Sequence, residues 1–243
     1  ETFNNADLFR IQIFASEMKQ ITIVVVSALL LVQVVNAFPL VKREAVEVAV
    51  KKDISDFIDS SAEDDPAIEK VLFFLAGTVG KISLWGLENG SVMIKNAVKD
   101  LEKLPEKDEL LQANITRMSK IAEEAASFKL DEDGSNIMQL FENIIQFARM
   151  LNDYEDMDDD SNLKLTLKVA LENNGYEKYQ GEFEERVVDA VEEFDTAFGE
   201  YVKGWSPEEK KKQAKLLDWY EELTNETDEE EKLDKFGDIF DLL

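Results

Sequence analysis

Apolar residues recur at three- and four-residue steps along most of the chain, and no stretch sustains the alternation of a half-buried strand. Residues 44–60 set Val46, Val50, Ile54, Phe57 and Ile58 on one helical face. Asp65-Pro66 reads as an N-cap with proline at the first helical position. The helix it opens runs to about Leu87 and is apolar nearly all round, so residues 66–87 are expected as the buried centre of a bundle. Glu88-Asn89-Gly90 is expected to end that helix, and residues 91–104 form the next, closed by Pro105.

Residues 106–130 carry Leu110, Leu111, Ile115, Met118, Ile121 and Ala125 toward the core. Residues 135–154 carry Ile137, Leu140, Phe141, Ile144, Ile145, Phe147, Ala148 and Leu151. The acidic run 153–160 breaks the pattern, a short apolar helix over 163–171 stops near Asn174-Gly175, and residues 176–204 repeat Val187, Val191, Phe194, Phe198 and Tyr201. Ser206-Pro207-Glu208-Glu209 is a capping box that opens a helix over 210–223, and Thr227 with Glu230 makes a second. The predicted fold is all-α: about eight amphipathic helices in one domain over 44–243, with a sub-boundary near 153–160 as the alternative.

One segment is apolar for a different reason. Met18–Ala37 has the layout of a secretory signal peptide: Lys19 in the n-region, Ile21 through Val35 as the h-region, and cleavage expected between Ala37 and Phe38. Residues 1–17 then read as an upstream remnant or extension outside the fold. The rival is a signal anchor, but an apolar run of about 15 residues falls short of the roughly 20 that span a bilayer. Cleavage leaves no membrane span in the mature chain, which is expected to be extracellular. Lys42-Arg43 is then a candidate dibasic site releasing a short propeptide, 38–43, although an exposed basic pair ahead of a helix is the favoured reading.

Charge narrows the partners. The chain has 53 Asp and Glu against 27 Lys and Arg, a formal net charge of −26, and residues 151–243 hold 29 acids against 11 bases. Such a field repels phosphate backbones and anionic lipid surfaces, so no nucleic acid is expected. Basic protein surfaces and cations are compatible. With no cysteine and no histidine, thiol nucleophiles, histidine triads and histidine-ligated metals are excluded, and the core has no disulfide staples.

Candidate chemistry is sparse. Residues 131–142 follow the spacing of an EF-hand calcium loop, with oxygen donors at Asp131, Asp133 and Ser135 and a bidentate candidate in Glu142. Asn136 stands where that motif uses glycine, so a polar turn between helices is the competing reading. Gly77-Thr78-Val79-Gly80-Lys81 only brushes against a phosphate loop, since its glycines are too close together and Ile82 follows the lysine. Paired acids such as Glu184/Glu185 and Glu192/Glu193 read as a solvated helix face rather than as acid–base catalysts. Three sequons occur at Asn89, Asn114 and Asn225; Asn89 and Asn225, in predicted turns, are the expected glycan acceptors ahead of Asn114, which falls inside a helix.

The aromatic residues Phe73, Phe74, Trp85, Phe141, Phe147, Phe194 and Phe198 either line an apolar pocket or fill the core. The leading expectation is therefore a secreted, acidic, non-catalytic helical protein holding an apolar small molecule or lipid between its helices. The alternatives are an extracellular interaction module using its acidic C-terminal half, and calcium binding through residues 131–142, with no other cofactor implied.

Overall fold

The computed structural model describes residues 67–131, 136–228, 231–232, 235–236 and 238–242. Among them the regular secondary structure is all helical, with seven α-helices and a closing 3-10 turn. These are α1 (Ala67–Glu102), α2 (Glu109–Ser127), α3 (Ile137–Glu155), α4 (Asn162–Asn173), α5 (Tyr176–Lys203), α6 (Pro207–Lys212), α7 (Ala214–Asn225) and the 3-10 turn Asp238–Leu242. No described helix is long and apolar enough to cross a membrane.

The longest helix, α1, packs against α2, α3, α4 and α5. It differs from expectation at Glu88-Asn89-Gly90, where it continues instead of ending. The polar side chains there bond inside the helix: Asn89 Nδ2 donates to the Trp85 carbonyl at 2.9 Å, and Ser91 Oγ to that of Glu88 at 3.0 Å. Gly90 is used for its missing side chain rather than as a helix stop, because the Phe147 ring of α3 occupies the place of a Cβ. Within the span expected as the buried centre, Lys81, Leu84 and Trp85 are only partly buried, and beyond it Glu88, Asn89 and Val92 face solvent.

After α1, Asp108 caps α2 by accepting from the Leu111 N–H at 2.8 Å, which starts the helix three residues later than its apolar pattern suggests. Leu110, about 100° round the helix from its neighbour Leu111, turns outward and is 66% exposed, while Leu111, Ile115, Met118, Ile121 and Ala125 are buried as expected. Every expected core position of α3 is buried. Ser161 caps α4, and Gly175, at φ 88°, makes the left-handed turn into α5.

α5 runs back along α1. Tyr179 meets Gly86 and Gly90, Phe183 meets Gly86, and Arg186 meets Trp85. Two glycines on α1 thus let ring-bearing side chains of α3 and α5 approach its backbone. Beyond α5 both arms of the Ser206–Glu209 capping box form, at 3.2 and 2.7 Å. The single helix expected over 210–223 is instead broken at Gln213. α6 buries no side chain, whereas α7 is anchored by Leu216, Trp219 and Leu223. Of the second capping box, Glu230 lies outside the described residues; next to Thr227, Asp228 accepts from the Glu231 N–H at 3.1 Å.

Candidate functional site

The aromatic residues that suggested a pocket pack against one another in two groups. In the first, Trp85 stacks on Tyr179 at 5.7 Å with Phe183 tilted beside it, and Phe147 meets Tyr179 edge-on. The Tyr179 hydroxyl donates to the Gly86 carbonyl at 3.1 Å, and burial raises its pKa. In the second, Phe194 and Phe198 stack at 5.4 Å, and Trp219, Phe236, Trp205 and Tyr220 close around them edge-on. Phe141, Phe147, Phe194 and Phe198 are all buried. The side chains of Phe73 and Phe74, on the first turns of α1, lie outside the described residues.

A cleft of about 150 Å³ lies between α1 and α5. Trp85, Ile82 and Ala190 supply its apolar wall; Lys81, Arg186, Asp189 and Glu193 supply the charges. The Arg186 guanidinium sits over the Trp85 ring, 4.5 Å from its centroid. Its sequence neighbours are acidic, yet its charge rests on the indole. The exposed side of α5 carries Glu184, Glu185, Asp189, Glu192 and Glu193 within ten residues, with the exposed Arg186 lying over the Trp85 indole and Lys81 across the same cleft. The sequence reading missed Arg186. Its spacing from Phe183, Val187 and Ala190 places it at the border of the apolar face and is the signal that could have found it.

Lys164 was missed too. It is buried on α4 at the turn that follows α3. Its ammonium donates to the carbonyls of Glu155 (2.6 Å) and Met157 (2.9 Å), pairs with Asp159 at 2.8 Å and lies 5.7 Å from the centre of the Tyr154 ring. The lysine satisfies the last carbonyl of α3 and one in the turn after it, and fixes the turn into α4. Hydrogen bonding and attraction from Lys164 hold the Asp159 carboxyl below its ordinary pKa.

Of the calcium-loop donors, Asp131 and Glu142 are exposed, and Asp133 and Ser135 lie outside the described residues. Asn136 has φ −107° and ψ 15°, outside the left-handed region taken by glycine at that EF-hand position. Its side chain clasps the preceding segment instead, donating to the Lys129 carbonyl at 2.6 Å and accepting from the Asp131 N–H at 3.0 Å. Among the described residues no group of three or more carboxylates is arranged to hold a metal ion.

Asn89 lies within α1 rather than in the turn expected for it, because the helix continues through Gly90; Asn114 lies within α2, and Asn225 is the last residue of α7. Ala37, Phe38, Lys42 and Arg43, with the rest of the signal-like segment, fall outside the described residues. No family model matches this chain, and no curated protein or solved structure shows significant similarity to it.

Proposed function

We propose that this chain is a secreted, non-catalytic helical module that captures a basic protein surface through the acidic outer face of α5. The observation that carries the reading is the set of exposed carboxylates at Glu184, Glu185, Asp189, Glu192 and Glu193, beside an arginine held on Trp85. Complementary charge steers association and selects partners, and it does so on a rigid helix without any cavity. Secretion is supported by the Met18–Ala37 pattern, and the absence of His and Cys supports a binding role over a catalytic one. An apolar ligand would have its entry beside Trp85. The cleft there, about 150 Å³, is small against the roughly 300–1,000 Å³ of ordinary small-molecule sites.

The test uses a lysine-rich peptide as probe over a range of salt concentrations. Glutamine at Glu184, Glu185, Glu192 and Glu193 is compared with glutamine at Glu106, Glu109, Glu123 and Glu124, which removes as many exposed carboxylates from α2 and its approach. The α5 variant is expected to lose most of the salt-sensitive binding and the α2 variant to keep it. Equal losses mean that charge acts diffusely, and the reading falls.

A further inference from the structure

The three sequons differ sharply once folded, and we infer that Asn225 is the N-glycan acceptor of this chain while Asn89 and Asn114 are not. The inference rests on the secreted reading above, because the oligosaccharide donor is met only in the secretory pathway.

Transfer requires the asparagine amide nitrogen and the hydroxyl two residues on to be presented together on backbone that can leave its own hydrogen bonds. Asn225 meets this. It is exposed at the end of α7, the next residue is already extended at φ −77° and ψ 128°, and Thr227 is exposed. Among the described residues neither Asn225 Nδ2 nor Thr227 Oγ1 is engaged in a hydrogen bond. The asparagine stands on the rim of an open groove of about 570 Å³ lined by Asp218, Glu221, Glu222, Glu226 and Lys235, which leaves room for the first sugar.

Asn89 is placed differently. Its Nδ2 is bonded to the Trp85 carbonyl, Gly90 lies against the Phe147 ring, and Ser91 is 1% exposed with its hydroxyl on the Glu88 carbonyl. Presenting this sequon means unwinding the middle of α1 and withdrawing a packed backbone from the core. Asn114 and Thr116 are likewise bonded within α2, to the carbonyls of Leu110 and Gln112, each at 2.9 Å.

In the step itself, Asn225 Nδ2 attacks the anomeric carbon of a lipid-diphosphate-linked oligosaccharide. The N–C bond forms, the C–O bond to the diphosphate breaks, the lipid diphosphate leaves, and the amide gives up one proton to a base of the transferase. No oxidation or reduction is involved.

The experiment expresses the full chain in animal cells and compares medium and lysate before and after peptide N-glycosidase treatment. Protein from the medium is expected to shift by one glycan. Asn225→Gln should abolish the shift, and Asn89→Gln and Asn114→Gln should retain it. Secreted protein with no shift overturns the assignment and leaves the secreted reading standing, as does a shift that persists in Asn225→Gln and disappears in Asn89→Gln. A chain found only unmodified inside the cells overturns both.

Discussion

Gly90 on α1 lies against the ring of Phe147 on α3: a Cβ at position 90 would fall 2.7 Å from Phe147 Cε1 and closer still to Cζ. Phe147 is 1% exposed and has little freedom to retreat. Alanine at position 90 should gain about 1 kcal/mol of helix propensity and lose about 1–3 kcal/mol to overpacking. Gly90→Ala is therefore expected to be destabilising on balance, seen as a lower urea midpoint by circular dichroism. A higher midpoint would show that propensity dominates and that the ring can move aside.

The same glycine shows how far the sequence could be read. Helix-forming stretches were legible because their apolar residues keep helical spacing, as in α3, where all the expected inward residues are buried. Glu88-Asn89-Gly90 carries the local signature of a stop, yet a stop and a close-packing site require the same residue, and only the position of Phe147 separates them. Leu110 was misplaced because it is adjacent to Leu111, and residues about 100° apart on a helix cannot both lie at the centre of one inward stripe. The acidic face of α5 was legible as a charge run. What ties its edge to α1 is the contact between Arg186 and Trp85, 101 positions apart in sequence, and no local pattern encodes that.

Lys164 gives a second test. Its ammonium satisfies the last carbonyl of α3 and one in the turn after it, as well as Asp159, whose side chain is 94% exposed. Hydrogen bonds to a buried charge contribute about 1.5–3 kcal/mol, whereas an exposed ion pair contributes about 1 kcal/mol or less. Lys164→Met should therefore lower stability by about 2 kcal/mol, and Asp159→Asn should change it by less than half of that. Equal effects in urea titrations would mean that the ion pair, not the carbonyl bonding, holds the turn.

Alkaline pH should loosen the fold through its buried tyrosines. Burial first, then the charges of Glu155, Glu172 and Asp159, push the Tyr154 pKa from 10.0 to about 12. Tyr176 is raised by burial and by donating its hydroxyl to Glu155 at 2.7 Å, and Tyr179 by burial alone. The unfolded chain ionises these groups near pH 10 and the folded chain does so later. Their contribution is thus complete below about pH 10 and is lost as pH rises through the folded pKa values. Urea midpoints should fall steadily from pH 9.5 to 11.5, with tyrosinate absorbance appearing on unfolding. A flat profile across that window would show that the hydroxyls reach water in the folded state.

The chain's end should behave as part of the second aromatic group rather than as a tail. Phe236 is 4% exposed and meets Phe194 edge-on at 5.2 Å, Ile239 is fully buried, and the Trp219 indole donates to the Lys235 carbonyl at 2.7 Å. Lys232 adds an ion pair to Asp195 on α5 at 3.1 Å. Large-to-small changes at buried aromatics cost about 3–5 kcal/mol when the site cannot collapse, and the short 3-10 turn here gives some ground. Phe236→Ala is therefore expected near the lower limit, about 3 kcal/mol, with a red shift in tryptophan emission as water reaches Trp219. Lys232→Ala should cost less than about 1 kcal/mol and leave the emission unchanged, because the pair is partly solvated. If Phe236→Ala leaves both stability and emission as they were, the terminal turn is not holding the Phe194–Phe198 stack, and α7 alone must cover it.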